Sequence, residues 1–352
     1  MDPLTHTLVG ASLAQTRFGR VPLGTTTLVV GANLPDVDAA TYFIGSDLAL
    51  LVRRGWTHGI LAMAVLPLVL GWAMHLVDRI RCRRNSDATP VPVRRLIALS
   101  YLSVLSHPAM DWLNTYGVRL LMPFSREWFY GDTLFIVDPW VWLLLGTVAV
   151  MAHSRDPLAL AGWITLAAIA SLLVLGVPDV PAAARWGWAV GLTAIAVIRH
   201  RGTGGPLPRL ATVCLSVALL YVGAMVTSSQ LARARVVDWA RNREIEPLRI
   251  MMSPAPGNPL AKSVILADNR HYHRISFVWG EGITPLGPEV PIGDDHPAAT
   301  AALASPEVRG LATWSRLPFY RVEAAADGYR VEVGDMRFGS VAVELDETLQ
   351  VR

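Results

Sequence analysis

The stretch that decides the fold is Gly59–Val77, with the sequence GILAMAVLPLVLGWAMHLV. It contains no Asp, Glu, Lys or Arg. At the α-helical rise of about 1.5 Å per residue it extends for about 28 Å, close to the roughly 30 Å hydrocarbon core of a bilayer. The sequence therefore predicts a membrane-spanning helix at this position.

Further apolar runs lie on both sides of this stretch. Some have spanning length, whereas the two nearest the N-terminus are long enough only for a helical hairpin that enters part of the bilayer. The chain is 52% hydrophobic and 17% charged, with a mean hydropathy of +0.38, which is too apolar for an ordinary soluble enzyme. We predict a mainly α, polytopic membrane helix bundle of about eight helices, formed by Gly59–Val77 together with Thr5–Thr16, Val21–Ala32, Leu96–Trp112, Leu134–Ala152, Leu158–Val177, Trp186–Ile198 and Leu210–Thr227.

The character of the chain changes beyond Ser228. Pro and Gly become frequent, and short alternating apolar runs appear that are typical of β-strands separated by turns. We therefore expect residues 1–228 to form the membrane domain and residues 229–352 a small β-rich or α/β domain. Its predicted elements are a charged connecting helix at Arg233–Arg249 and strands at Ser263–Ala267, Arg274–Trp279, Tyr329–Val333 and Ser340–Leu345.

The distribution of arginine predicts the orientation in the membrane. Arginines concentrate in alternate connections, at residues 17–20, 79–95, 155 and 199–209, and the positive-inside rule makes these connections cytoplasmic. We expect a multi-pass protein of the cell (inner) membrane, with its C-terminal domain and the connections after residues 33, 113 and 178 outside the cytoplasm. The N-terminal stretch has no basic segment before its apolar run, so a cleaved signal peptide is not expected.

Six ionisable residues in the first third of the chain are the candidate site. Each is costly near hydrocarbon unless it faces a polar environment, and all six fall at outer helix ends on the predicted topology. His107 and Asp111 stand four apart, so on a helix they share one face and can reach one ion. Pro108 is either the first residue of that helix or a kink in a longer one. The six residues are His6, Asp36, Asp38, His58, His107 and Asp111.

Each of these motifs also has a simpler interpretation. His107 and Asp111 can form a polar helix end exposed to water. In Asn33–Asp38 the proline predicts an extended or turn geometry with carboxylates at alternate positions, which are either ligands or helix caps. In Arg53–His58 the two arginines are either interfacial anchors or residues that bind an anionic group such as phosphate by bidentate hydrogen bonds.

Imidazole and carboxylate donors without cysteine indicate zinc or another divalent transition metal. Such an ion lowers the pKa of water and stabilises charge on a phosphoryl or carbonyl oxygen, while a spare carboxylate accepts the proton. We therefore predict a metal-dependent hydrolase with the six residues as metal ligands, and with Asp36, Asp38 and Arg54 as catalytic residues. The expected substrate is a phosphoester, with phospholipid of the membrane as one candidate, and no nucleic-acid partner is expected.

Several motifs, taken in order, resemble one known family. Met1–His6, Asn33–Asp38, Arg53–His58 and His107–Ser125, with the core DWLNTYG at 111–117, are similar to the YdjM/YfhP-like family of membrane-bound metal-dependent hydrolases. The resemblance covers about the first 150 residues strongly. That family is in turn distantly similar to zinc-dependent phospholipase C and P1 nuclease, which are helical enzymes with a trinuclear zinc cluster.

The distant similarity implies a ligand order of His6, Asp36 or Asp38, His58, His107 and Asp111. Those enzymes use further histidines and an acidic residue downstream, and the outer side of this chain does not match them. Asp132 and Asp138 are either substitute carboxylate ligands or turn residues at the interface. The resemblance therefore implies one or two metals rather than three.

Two other classes of function fit parts of the pattern. In the first, the metal only fastens helix ends together and the C-terminal domain is a binding module. A structural site of that kind is closed by four protein ligands, whereas a catalytic site keeps a position open for water. The second class, a transporter, is disfavoured because its ionisable groups lie near mid-membrane in broken helices.

Overall fold

The structure, a computed structural model, describes residues 1–177 and 180–351. Arg352 lies outside the described residues, as do Pro178 and Asp179, where the predicted connection after residue 178 begins. The chain divides into two compact units. The first consists of residues 1–36, 55–230 and 253–261, and the second of residues 37–54, 231–252 and those from Lys262 onward.

The chain is mainly helical and ends in antiparallel β-structure, as predicted. Asp-Pro pairs begin three of the described helices, because Asp2, Asp138 and Asp156 accept hydrogen bonds as N-caps and a proline follows each at the helix start. The helical elements are α1 (Pro3–Gln15), α2 (Gly24–Asn33), a 3₁₀ segment (Leu34–Phe43), α3 (Ser46–Val52), α4 (Ile60–Arg84), α5 (Val93–Trp112), α6 (Pro139–His153), α7 (Pro157–Gly176), α8 (Ala182–Arg201), α9 (Leu207–Arg241), α10 (Pro297–Ala302), a 3₁₀ turn (Pro306–Val308) and α11 (Arg309–Trp314).

Helices of the first unit have membrane character. Among the described residues, three helices are long and apolar enough to cross a membrane, namely α4, α7 and α9, and α6 is apolar but shorter. Leu158 on α7 is 82% exposed and Leu219 on α9 is 72% exposed, which suits contact with lipid rather than water. The predicted transmembrane helices are therefore confirmed in part, and the full set of about eight crossings stays a prediction.

The core of the first unit forms where α1, α6, α8 and α9 pack together around Leu8, Trp142, Trp188 and Met225. The indole Nε1 of Trp142 donates a hydrogen bond of 2.9 Å to Thr5 Oγ1, which joins α6 to α1. Beside this core, α2 packs against both α1 and α5, and α5 packs against α4. These packed pairs bring the first turn of α1 and the last turn of α5 into the same part of the unit.

The β-strands form two antiparallel sheets. One sheet has the strand order β1-β2-β3-β4, with β5 also paired to β3, and the other has the order β6-β7-β8. In the second sheet Val331 lies opposite both Val322 and Val343. The strands are β1 (Arg249–Ala255), β2 (Asn258–Ala267), β3 (His271–Val278), β4 (Gly282–Pro285), β5 (Val290–Pro291), β6 (Pro318–Ala325), β7 (Gly328–Asp335) and β8 (Ser340–Asp346). The four predicted strands overlap β2, β3, β7 and β8.

The core of the second unit joins the end of α9 to the first sheet. Val236 of α9 is buried together with Met252, Val264 and Phe277. The charged helix predicted at Arg233–Arg249 is therefore wrong as a separate element, because α9 continues from the apolar run to Arg241 and the chain enters β1 at Arg249.

Two predictions about proline are settled by the helices. Of the extended or turn geometry expected for Asn33–Asp38, the extended alternative is wrong and the turn alternative fits, because Pro35 is the second residue of the 3₁₀ segment. At that position its fixed φ fits a helix and its missing N–H costs no hydrogen bond. Pro108, by contrast, lies inside α5, so it belongs to a longer helix rather than starting one.

Candidate metal centre

Four of the predicted residues lie together in the first unit. Asp36, His58, His107 and Asp111 each present one donor atom, and these atoms all lie within 4.8 Å of one another. The side chains of His58, His107 and Asp111 are fully buried, whereas that of Asp36 is 15% exposed. A group with this composition and spacing can hold a metal ion, and we call it the four-residue group.

The closest contacts within the group join the two imidazoles to each other and to carboxylate oxygens. His58 Nε2 lies 3.1 Å from His107 Nε2 and 3.3 Å from Asp111 Oδ2. Asp36 Oδ1 lies 3.8 Å from His58 Nε2 and 3.7 Å from His107 Nε2. The two imidazoles therefore face each other between two carboxylates.

A backbone carbonyl orients His107. Its Nδ1 lies 2.6 Å from the carbonyl oxygen of Ala32 on α2. Because a carbonyl oxygen only accepts, Nδ1 carries the proton, and a neutral His107 presents the lone pair of Nε2 to the four-residue group. Metal-binding histidines commonly have this arrangement, in which the second ring nitrogen donates to a carbonyl. The residues present therefore fit a divalent cation.

Local geometry explains how each histidine reaches the group. His107 and Asp111 are four apart on α5 and share one face, as their spacing predicts. The amide of His58 donates a hydrogen bond of 3.0 Å to the carbonyl oxygen of Gly55, which forms a turn. The next residue, Gly59, lies so close to the backbone of Met122 that a Cβ at position 59 would be 2.3 Å from Met122 O. A larger residue at position 59 would therefore shift the backbone directly after His58.

His6 contacts the group from α1. Its Nε2 lies 3.2 Å from Asp111 Oδ1, and its ring stacks on that of His107 with centroids 3.7 Å apart. The amino group of Met1 also forms an ion pair with Asp111. Asp111 therefore directs one oxygen toward α1 and the other toward His58 and His107.

Asp38 is directed toward arginine within the second unit. Its carboxylate forms an ion pair with Arg53 and accepts a hydrogen bond of 2.9 Å from the amide of Arg54. Among the described residues the four-residue group contains Asp36 and not Asp38. Arg54 is buried and has a left-handed backbone conformation with φ of 51°. Its role in binding an anionic group stays a prediction.

Asp138 has the contacts of a helix cap. Its Oδ1 accepts hydrogen bonds of 3.0 Å from the amides of Trp140 and Val141, and its Oδ2 accepts one of 3.0 Å from the hydroxyl of Tyr221. Asp132 is buried, and its backbone oxygen accepts a hydrogen bond from Ser229. In the part of the chain that the structure describes, neither residue belongs to the four-residue group.

The group lies at the end of the α4–α5 pair that is remote from the arginine-rich connection. His58 comes just before α4, and Asp111 lies in the last turn of α5. The connection between the two helices, with Arg84 and Arg94 at its borders, is at the other end. Since α4 has 25 residues and each rises about 1.5 Å, about the thickness of a bilayer separates the two ends.

The comparisons with known proteins bear on this same part of the chain. A sequence model described as YdjM inner membrane protein matches residues 1–180, just over half of the chain and the span that holds the whole four-residue group. This chain belongs to the YdjM inner membrane protein family. The predicted resemblance to this family is therefore confirmed.

This member of the YdjM family also has a distant curated relative. YfhP of Bacillus subtilis (strain 168), an uncharacterized protein, is 24% identical over 167 residues, which are 45% of this chain and 48% of YfhP. The chain thus spans about half the length of the curated relative it matches. No solved structure gives a significant match. The distant similarity to zinc-dependent phospholipase C and P1 nuclease stays a prediction.

The sequence did not indicate two contacts of the site. The carbonyl of Ala32 that orients His107 is a backbone group, and a backbone group carries no residue-type signal. The amino group of Met1 is a backbone group as well. Ala32 directly precedes the motif Asn33–Asp38 and Met1 begins the motif Met1–His6, so both contacts lie at the edges of the sequence motifs.

Proposed function

We propose that this protein is a membrane-bound, metal-dependent hydrolase that acts on a phosphoester. The observation that carries the proposal is the buried four-residue group of two imidazoles and two carboxylates. Histidine and carboxylate donors without sulfur suit zinc or another divalent transition metal. Membership of an inner membrane protein family supports a reaction at the membrane.

The residues of the group divide the chemistry between them. When bound, a divalent cation supplies a lowered pKa for water and stabilises negative charge on a phosphoryl oxygen. His58, His107 and Asp111 would hold it, since their side chains are fully buried and His107 is oriented by a carbonyl. Asp36 is the most exposed member, so it can both complete the site and exchange a proton with solvent.

In the proposed reaction Asp36 is the general base. It accepts a proton from the attacking water as the water oxygen forms a bond to phosphorus. The ester P–O bond breaks, and the proton held by Asp36 passes to the leaving oxygen. The products are an alcohol and a phosphate with one ester bond fewer.

Metal content and phosphoester hydrolysis of the purified full-length protein test the proposal together. The variants His107→Ala and Asp111→Asn should each lose bound metal, measured by plasma mass spectrometry, and hydrolysis of bis(4-nitrophenyl) phosphate. Helix packing away from the site should preserve the helical circular dichroism. His153→Ala and Asp87→Asn are matched controls at exposed positions and should retain both properties.

The alternative is a structural metal site. It is favoured by the meeting of four protein side chains, the number that closes a tetrahedral structural site. In that case the wild type has no hydrolytic activity, and Asp111→Asn loses thermal stability as well as metal. Full metal content in both site variants would contradict the hydrolase and the structural site alike.

A further inference from the structure

A large apolar cavity in the first unit extends to the four-residue group. Its volume is about 750 Å³, within the range of about 300–1,000 Å³ that is typical of ligand pockets. His58 forms part of its wall, and the remaining wall comes mainly from α5, α6, α9 and the connection after α5. Representative lining residues are Met63, Met110, Leu145 and Val222.

The chemistry of the wall selects an apolar occupant. Of the lining residues only His58, Ser106 and Trp112 carry a polar side-chain group, and the rest are aliphatic, methionine or proline. Ordered water needs two to four polar partners, so water does not suit most of this volume. A molecule that fits is hydrocarbon along most of its length and polar only where it reaches His58.

We propose that this cavity holds a hydrocarbon chain of the substrate, which makes the substrate a lipid phosphoester. The inference rests on the proposed hydrolase function. A chain in the cavity places its polar end next to His58, whose Nε2 is 3.1 Å from that of His107 and 3.3 Å from Asp111. The ester at that end then lies beside the residues that would hold the cation and beside Asp36.

The cavity orients the substrate and adds little hydrophobic free energy to its binding. Bilayer tails are as apolar as leucine, so a chain gains little by leaving the bilayer for this wall. What it gains is a fixed orientation of the ester toward the attacking water, and orientation strongly affects rate. Filling the cavity should therefore slow the hydrolysis of a long-chain ester and spare an ester without a chain.

A pair of esters with the same leaving group separates these effects. Hexadecyl 4-nitrophenyl phosphate and methyl 4-nitrophenyl phosphate both release 4-nitrophenol when water attacks phosphorus, and they differ only in the alkyl chain. Val222→Phe enlarges a lining residue on α9, far from the ligands in sequence. Val217→Phe is the matched control, because Val217 lies on the same helix and does not line the cavity.

In Val222→Phe the kcat/KM for the hexadecyl ester should fall roughly tenfold to a hundredfold, the scale expected for a misplaced substrate. The kcat/KM for the methyl ester should stay within about twofold. Val217→Phe should change neither. An unchanged hexadecyl rate in Val222→Phe means that the cavity holds only bulk lipid, and an equal loss for both esters means that it is structural. Either result overturns the proposal.

A binding measurement tests whether the cavity holds a hydrocarbon chain independently of hydrolysis. Phosphatidic acid with a diazirine in its hydrocarbon chain should cross-link to residues 105–113 and 215–226 of the wild type, and much less to Val222→Phe. Cross-linking without hydrolysis of either ester contradicts the proposed function while retaining the chain site. Hydrolysis of both esters without cross-linking at these segments contradicts the chain site while retaining the function.

Discussion

Asp36 and Asp38 are two positions apart, yet their carboxylates have different partners. Asp36 lies 3.7 Å from His107 Nε2, whereas Asp38 is paired with Arg53. Asp36→Asn should therefore lower metal affinity at least about tenfold, since even changes in groups that only support metal ligands cost about 10–100-fold. Titration of the metal-free protein with zinc, followed by calorimetry, measures the change.

Asp38→Asn is the matched control for that substitution. It should leave zinc affinity unchanged and lower thermal stability, because it removes the charge partner of Arg53 and costs about 1–3 kcal/mol. Equal zinc affinities of the Asp36 and Asp38 variants would contradict the assignment of Asp36 to the site.

Asp335 predicts how the second unit responds to pH. Burial raises the pKa of its carboxyl, but hydrogen bonds and charge from Arg337 and the hydroxyl of Ser315 outweigh burial and hold that pKa below its ordinary value. A depressed carboxyl pKa stabilises the folded state above the unfolded pKa of about 3.9, and the contribution is lost as pH falls through the lower folded pKa. Thermal stability of the wild type should therefore decline below about pH 4.

The variant Asp335→Asn isolates this contribution. It leaves buried Arg337 without its carboxylate partner, so it should be less stable at pH 7 by about 3–5 kcal/mol. Its stability should also change less between pH 5 and pH 3, a range of about one unit on each side of the ordinary carboxyl pKa. Asp295→Asn, at an exposed position, should follow the wild type. Parallel curves for the wild type and Asp335→Asn would show that Asp335 does not govern the acid response.

At the scale of elements, close helix packing supports the candidate site. A Cβ at Gly10 on α1 would lie 2.6 Å from Leu28 O and 2.9 Å from Val29 Cα on α2. These are backbone atoms, so Gly10→Ala must move the helices apart, at a cost of about 1–3 kcal/mol. Because α2 carries the carbonyl of Ala32 that orients His107, zinc affinity should fall together with thermal stability.

Gly162→Ala on α7 is the control for this packing effect. A Cβ there would meet no heavy atom within 4 Å, and alanine favours a helix over glycine by about 1 kcal/mol. Its melting temperature should stay constant or rise, with zinc affinity unchanged. A Gly10→Ala variant that behaves in the same way would exclude tight α1–α2 packing as a support of the site.

The sequence predicts these elements unequally, and the reasons are physical. The four-residue spacing of His107 and Asp111 suffices because a helix fixes which side chains share a face. The sequence cannot tell whether Asp36 or Asp38 joins the group, since this depends on the 3₁₀ path through Pro35 and on the pairing of Asp38 with Arg53. The sequence does not predict the continuity of α9, because its composition changes from apolar to charged near Ser228 while its backbone remains helical.

At the scale of the whole molecule, the α4–α5 pair relates the candidate site to the membrane. The four-residue group is at one end of the pair and the arginine-rich connection at the other. Arginine-rich connections stay in the cytoplasm, so the group should open on the outer side. With about eight crossings, the second unit should lie on that side too.

Reporter fusions test this orientation in whole cells. Alkaline phosphatase, which is active only outside the cytoplasm, should be active when fused after Arg352 and inactive when inserted at Asp87, in the connection between α4 and α5. A fluorescent protein that folds only in the cytoplasm should give the opposite pattern. If both positions report the same side, the number of crossings between them is even rather than odd. That result would contradict the predicted bundle, because it would place the C-terminal region on the side of the arginines and across the membrane from the four-residue group.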